Sequence, residues 1–279
     1  MNRRWKLLPG LALALTLALA MLSGCPAPPR LPPPAPAVPA APAPHVGTPF
    51  EIQPQSSLLT ILVYRAGALA SAGHNHVIAS HDLSGTFFIP AEILQSSFEV
   101  HVPVATLTVD EAALRAQQSA PDFPPDVSEG AKEGTRRNML GEALLDAQHH
   151  PEIMLRSLQL EPAGSAAKDS GTVLAHVQST VRGQLRTFTT PVRYRLTGDG
   201  TLEASGEFPL RQSELGLTPF SAMLGALQVQ DEMRVSFHIV AHSGRAAGSA
   251  GGNPGPGGVN ALSGGVNAGP GGVNTPFVP

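Results

Sequence analysis

Phe98-Glu99-Val100-His101-Val102-Pro103-Val104 is the stretch that decides the fold. Phe98, Val100, Val102 and Val104 fall on one side of an extended chain, with Glu99 and His101 on the other. The same period returns near the end, where Met233, Val235, Phe237 and Ile239 alternate with Arg234, Ser236 and His238. One apolar face and one polar face mark a half-buried antiparallel strand. Working outward, similar runs cover Leu58–Arg65, Leu83–Ile89, Glu152–Leu160, Thr172–Val181, Leu185–Leu196 and Leu202–Leu210, which makes eight strands. Arg182-Gly183 and Gly198-Asp199-Gly200 punctuate them as turns. Helical spacing is confined to Lys132–Leu145, with Met139, Leu140, Ala143 and Leu144 on one side, to a short piece at Asp110–Gln118, and to a turn around Phe220–Leu227. Eight strands with few helices imply an all-β fold closed into an antiparallel barrel, since closure removes exposed edges.

The flanks of this region read differently. Met1 to Lys6 is basic, and an apolar run from Leu7 to Leu22 follows, ending at Leu22-Ser23-Gly24-Cys25. This is the pattern of a secretory leader, and its end resembles the bacterial lipoprotein lipobox. That resemblance implies cleavage before Cys25, a diacylglyceryl thioether on its sulfur and acylation of its new amine. Several acyl chains hold a protein durably on a membrane where one is marginal. Pro26, in place of an aspartate after the cysteine, implies the outer membrane, facing the periplasm. Pro26 to Pro44 holds 10 prolines in 19 positions. Such a segment favours polyproline II and spans roughly 60 Å at about 3.1 Å per residue. The tail from Ser243 to Pro279 repeats Gly-Gly-Val-Asn at 257–260, 264–267 and 271–274. One apolar residue per repeat is too little to offset chain entropy, so the tail is expected to be disordered. The resulting division is 1–24 leader, 25–48 lipidated cysteine and linker, 49–242 barrel, and 243–279 tail.

Composition excludes several classes. The formal net charge is −3, and losing Arg3, Arg4 and Lys6 with the leader takes it to −6. A nucleic-acid binder carries a basic excess instead. Cys25 is the only cysteine, so neither an intrachain disulfide nor a cysteine-rich metal cluster forms.

Several short motifs, taken in order, resemble the YceI family of periplasmic proteins, whose barrels are lipocalin-like and bind polyisoprenoid or similar chains. They are Gly73-His74-Asn75-His76 with Leu83-Ser84-Gly85-Thr86-Phe87; Arg137-Asn138-Met139-Leu140 through Leu145-Asp146 to His150-Pro151-Glu152-Ile153; Thr180-Val181-Arg182-Gly183 with Thr190-Pro191-Val192; and Leu210 to Gly216 with Val229 to Met233. The likeness spans roughly Ser57 to Ala241. Leu144-Leu145-Asp146 and Glu214-Leu215 depart from the family pattern by removing aromatic bulk. The resemblance implies a lipocalin-like eight-stranded β-barrel with a long apolar channel. It implies no resident cofactor beyond a bound isoprenoid, quinone or acyl chain. The residues expected to line the channel are Phe87, Phe98, Val100, Val102, Met139, Leu144, Ile153, Leu155, Val235, Phe237 and Ile239. Burial of a long chain there contributes about 0.8 kcal/mol per methylene.

The polar residues leave two readings open. In an extended segment His74 and His76 point the same way and could share a metal ion, with His101 or His176 as a third ligand. Otherwise they serve a turn or contact a ligand headgroup. Arg136-Arg137 and His149-His150 read as solvated positions. No Gly-x-Ser-x-Gly elbow and no convergent acid–base set is visible, so the chain reads as a container and not as an enzyme. The alternatives are a metal-binding envelope protein, a metal-dependent enzyme built on the histidines, and a structural lipoprotein whose linker and tail make its contacts.

Overall fold

A computed structural model describes residues 41–244. The leader, Cys25, most of the linker and nearly all of the repeat tail lie outside the described residues. The strands are β1 (Thr48–Ile52), β2 (Leu58–Val63), β3 (Arg65–Ala66), β4 (His76–Ser80), β5 (Ser84–Ile89), β6 (Ser97–Pro103), β7 (Thr108–Val109), β8 (Glu152–Ala166), β9 (Ser170–Val181), β10 (Gln184–Leu196), β11 (Thr201–Arg211), β12 (Ser221–Ala222), β13 (Leu227–Val229) and β14 (Glu232–Ser243). The helices are α1 (Ala112–Arg115) and α2 (Glu129–Leu140). Among the described residues no helix is long and apolar enough to cross a membrane.

Three barrel strands are each broken midway. β1 and β2 pair with β5 and β4 as one long hairpin: Thr48 faces Ile89, Glu51 faces Thr86, Leu59 faces Ser80 and Val63 faces His76. β6 and β7 continue along its other side, with His101 opposite Ser84 and Thr108 opposite Ala79. Counted this way, β1–β2, β4–β5, β6–β7, β8, β9, β10, β11 and β14 make a closed antiparallel barrel of eight strands. Closure comes from β14, which pairs with β1 at Phe50–Ser243 and with β2 at Leu62–Arg234. The expected all-β barrel is therefore present. β1 and β4 were not expected as strands. β4 reads His76-Val77-Ile78-Ala79-Ser80 and is buried throughout, so no solvated face betrays its period.

Two of the breaks are short turns, Pro54–Ser56 between β1 and β2 and Val104–Thr106 between β6 and β7. Gly85 adopts φ 129°, and a Cβ there would run into the Glu99 carbonyl of β6. Only glycine admits that approach. The β9–β10 turn is Arg182-Gly183, both with positive φ (50° and 69°). This two-residue geometry matches the twist of the flanking strands.

The barrel is not sealed all the way down. β8 begins at Glu152, opposite Pro103 of β6, so β7 has no partner on that side. Residues 110–151 fill the gap, with α2 against β7. The helix begins three residues before the expected Lys132 and ends at Leu140, not Leu145. Ser128 caps its start, its hydroxyl accepting from Ala131 N at 3.3 Å. Gly141 is extended (φ −69°, ψ 165°) and stops it. Residues 143–145, read from their spacing as helix, lie in turns.

The ends of the barrel differ. Turns 90–96, 167–169 and 197–200, and both ends of the described chain, gather at one end. Phe50, Tyr194, Leu202 and Ala241 are buried there, and the Tyr194 hydroxyl donates to the Ala167 carbonyl. Segments 64–75, 104–151, 182–183 and 212–231 gather at the other end. Among them a small sheet forms, in the order β12-β13-β3.

Candidate functional site

The interior that alternation creates is not filled. A cavity of about 500 Å³ runs into the barrel from the end that carries the small sheet. This lies within the usual range for ligand pockets, roughly 300–1,000 Å³. All eleven residues expected to line a channel do line it. They are Phe87 on β5; Phe98, Val100 and Val102 on β6; Met139 on α2; Leu144 in the turn after it; Ile153 and Leu155 on β8; and Val235, Phe237 and Ile239 on β14.

Sequence reading missed the contributions of β2, β9, β10 and β11. Leu59, Ile61 and Val63, Val177 and Val181, Phe188 and Val192, and Ala204, Phe208 and Leu210 also face the cavity. The period of two was there to find. In β2, which was read as a strand, the inner face was not singled out because the outer face is apolar too: Leu62 lies with Val77, Leu114 and Phe123 beneath residues 110–127.

The cavity has a floor. A second void of about 50 Å³ is lined by Phe87, Phe98, Val192 and Ala204, which also line the main cavity. Residues shared by both voids stand between them. The Phe87 and Phe98 rings, 5.5 Å apart between centroids, form most of this partition. Ala204 is the small member, and an adjacent glycine-shaped space at Gly206 lets the Phe237 ring sit against β11.

At the mouth, α2 presents Ala131, Gly134, Thr135, Asn138 and Met139 to the cavity. Their spacing is a single helical stripe. Arg65, Gly73, His74 and His76 complete the rim on the β3–β4 side. His76 is buried and uses both ring nitrogens. Nδ1 lies 2.6 Å from Asp110 Oδ2 and Nε2 lies 3.1 Å from Thr135 Oγ1. Asp110 Oδ1 accepts from Val77 N at 2.9 Å and from Arg115 Nη1 at 2.7 Å. Arg115, itself buried, also donates to the carbonyls of Asn75 and Pro124 at 2.8 and 2.6 Å. Burial tends to raise the Asp110 pKa. The His76 and Val77 hydrogen bonds and the charges of His76 and Arg115 outweigh it and hold the carboxyl below its ordinary value. His74 stands at the rim, its pKa lowered by burial and by the charges of His76, Arg115 and Arg65.

Hydroxyl, imidazole and carboxylate in this order are the parts of a hydrolytic triad. Thr135, however, lies inside α2, where N–H groups belong to the helix ladder and are not free to hold an oxyanion. What the chain does is tie β4, the end of β7, α1 and α2 together under the mouth. Asp110 takes φ 54° to do so. Asp110, Arg115 and Thr135 escaped sequence reading because only the fold brings them to His76.

The histidines do not converge. His74 and His76 stand 6.0 Å apart between ring centroids. His101 is turned to Glu152 and Glu99, each at 2.8 Å, and His176 to Glu161 at 3.2 Å. Among the described residues no group of three or more His, Cys, Asp or Glu is placed to hold a metal ion. This corrects the expectation that His101 or His176 completes a ligand set. Burial lowers the His101 pKa, but the bonds to Glu152 and Glu99 outweigh it, so the net shift is upward.

No curated protein matches the chain. Among solved structures it is similar to Burkholderia cenocepacia BcnA, at 19% identity over 68% of this chain and 99% of that one, with a TM-score of 0.49. It is also similar to a polyisoprenoid binding domain from Saccharophagus degradans implicated in plant cell wall breakdown, at 9% identity over 70% and 98% of the two chains, TM-score 0.44. A third is a Campylobacter jejuni YCEI protein, at 10% identity over 58% and 81%, TM-score 0.39. Residues 50–241, which span the barrel from β1 into β14, match the model of the YceI-like domain, and the chain belongs to that family.

Proposed function

We propose that this protein holds one long apolar chain, a polyisoprenoid or a similar quinone or acyl lipid, inside its barrel. The observation that carries this reading is the cavity of about 500 Å³ with apolar walls. Its floor and body come from the closed sheet, with α2 and the small sheet completing the rim, so most of the wall is fixed before the ligand arrives. Membership of the YceI-like family supports the same reading. The protein acts as a container without catalysis. Its setting follows from the N-terminal sequence: acylation at Cys25 anchors it in the envelope, on the outer membrane facing the periplasm, and the proline-rich segment spaces the barrel from the bilayer.

The test uses residues 26–279, which retain the whole barrel, stripped of lipid by solvent exchange. cis-Parinaric acid, a fluorescent acyl chain, should bind saturably at one per protein and be displaced by a long polyprenol. Partition without saturation, or no displacement, contradicts the reading.

A further inference from the structure

Exposed large apolar side chains are few in the barrel, and most of them gather in one place. Among the described residues they are Val46, Leu69, Leu94, Leu185, Phe220, Met223 and Leu224. Leu69, Phe220, Met223 and Leu224 flank the strands of the small sheet at the mouth. Leu69 N donates to Ala226 O at 2.8 Å, Ala226 N to Met223 O at 3.1 Å and Val229 N to Phe220 O at 3.0 Å. The first bond holds the β3 side against the β12–β13 hairpin, and the other two close the hairpin itself. Gly67 (φ 91°) lets the two backbones close up, since a Cβ there would strike the Ala226 carbonyl.

The hairpin tip is strained. Met223, Leu224 and Gly225 take φ 51°, 55° and 89° in succession. Two consecutive left-handed residues with large side chains are rare, and such strain collects where it serves a function. Its effect here is to push Leu224 fully into solvent, with Met223 69% exposed. The surface also carries little charge. Residues 65–75 and 215–230 contain no Asp or Glu, and Arg65 is their one Lys or Arg. Finally, the patch is continuous with the cavity: Phe220, Leu227 and Val229 of the same hairpin line it.

The geometry points to a membrane-docking site: the Met223–Leu224 tip, with Leu69 and Phe220, enters the hydrocarbon edge of a lipid bilayer and brings the cavity mouth against it. An apolar tip without acids suits the boundary between headgroups and acyl chains. A chain leaving the bilayer there passes into the barrel without crossing water. This inference rests on the container reading, because it is the ligand's route that gives the tip its use.

The test again uses residues 26–279. The single native cysteine is then absent, so one introduced thiol carries the dye. Leu224→Cys labelled with an environment-sensitive nitrobenzoxadiazole should gain several-fold emission on vesicles of phosphatidylethanolamine and phosphatidylglycerol. The same label at Leu94→Cys, in the turn at the opposite end, should not. Met223→Asp with Leu224→Asp should slow uptake of a polyprenol from those vesicles at least tenfold, with cis-parinaric acid binding from water unchanged. A silent label at 224, or an equal response at 94, overturns the proposal. A chain that binds no apolar ligand while the label at 224 still responds would remove the container reading and leave the docking site standing.

Discussion

Phe98 shows how much one side chain decides. It is half of the Phe87–Phe98 partition between the main cavity and the void beneath it. Phe98→Ala opens that partition. The variant should lose about 3 kcal/mol of stability, the ordinary cost of removing a packed ring. The lipids extracted from it, compared by mass spectrometry, should shift toward longer chains. Asp110 acts on the fold instead. Its side chain is wholly buried between His76 and Arg115, so Asp110→Asn leaves the guanidinium unpaired and should cost about 3–5 kcal/mol. The pH dependence has a definite sign. A carboxylate with a depressed folded pKa stabilises the fold above its ordinary value of 3.8, and that stability drains away as pH falls through the folded value. Thermal melts should therefore show a steeper loss below about pH 4 in the unaltered chain than in Asp110→Asn. Parallel pH profiles would show that Asp110 carries no linked charge.

At the scale of elements, Phe98–Val104 and β14 were legible because each has one wet face and one dry face. The hairpin runs in β8 to β11 were legible for the same reason, and their turn glycines set the boundaries. β4 was not, because residues 110–127 cover its apolar outer side, Val77 and Ala79, while the polar residues His76 and Ser80 lie buried on its inner face. α2 was placed but misjudged in length: Ser128 and Gly141 outrank the apolar spacing at 143–145. The strand part of the apolar wall follows the period of two, whereas the open interior was implied by the family resemblance and not by the period. The polar chain Thr135–His76–Asp110–Arg115 was not, since its members come from four segments and share no local pattern. Gly85 tests the close approach of β5 and β6 directly. With φ 129° and the Glu99 carbonyl in the way, Gly85→Ala should destabilise by more than about 1 kcal/mol. Urea unfolding would read this as a lower midpoint with an unchanged slope. A neutral effect would mean that β5 and β6 do not approach as described.

At the scale of the molecule, the barrel is polarised. The ends of the described residues, 41 and 244, lie at the end where the core is filled, and the opposite end carries the mouth, α2 and the strained hairpin. The proposed anchor at Cys25 would then tether the end opposite the mouth, leaving the mouth free to load. The measurement that tests the central claim most directly is native mass spectrometry of residues 26–279, purified without detergent, beside Val100→Trp, whose indole would occupy the middle of the cavity. The account predicts a single adduct of several hundred daltons on the unaltered chain, released by organic solvent, and its loss in the folded variant. A bare polypeptide mass for the unaltered chain after exposure to polyprenol vesicles, or an adduct that Val100→Trp retains in full, would contradict it.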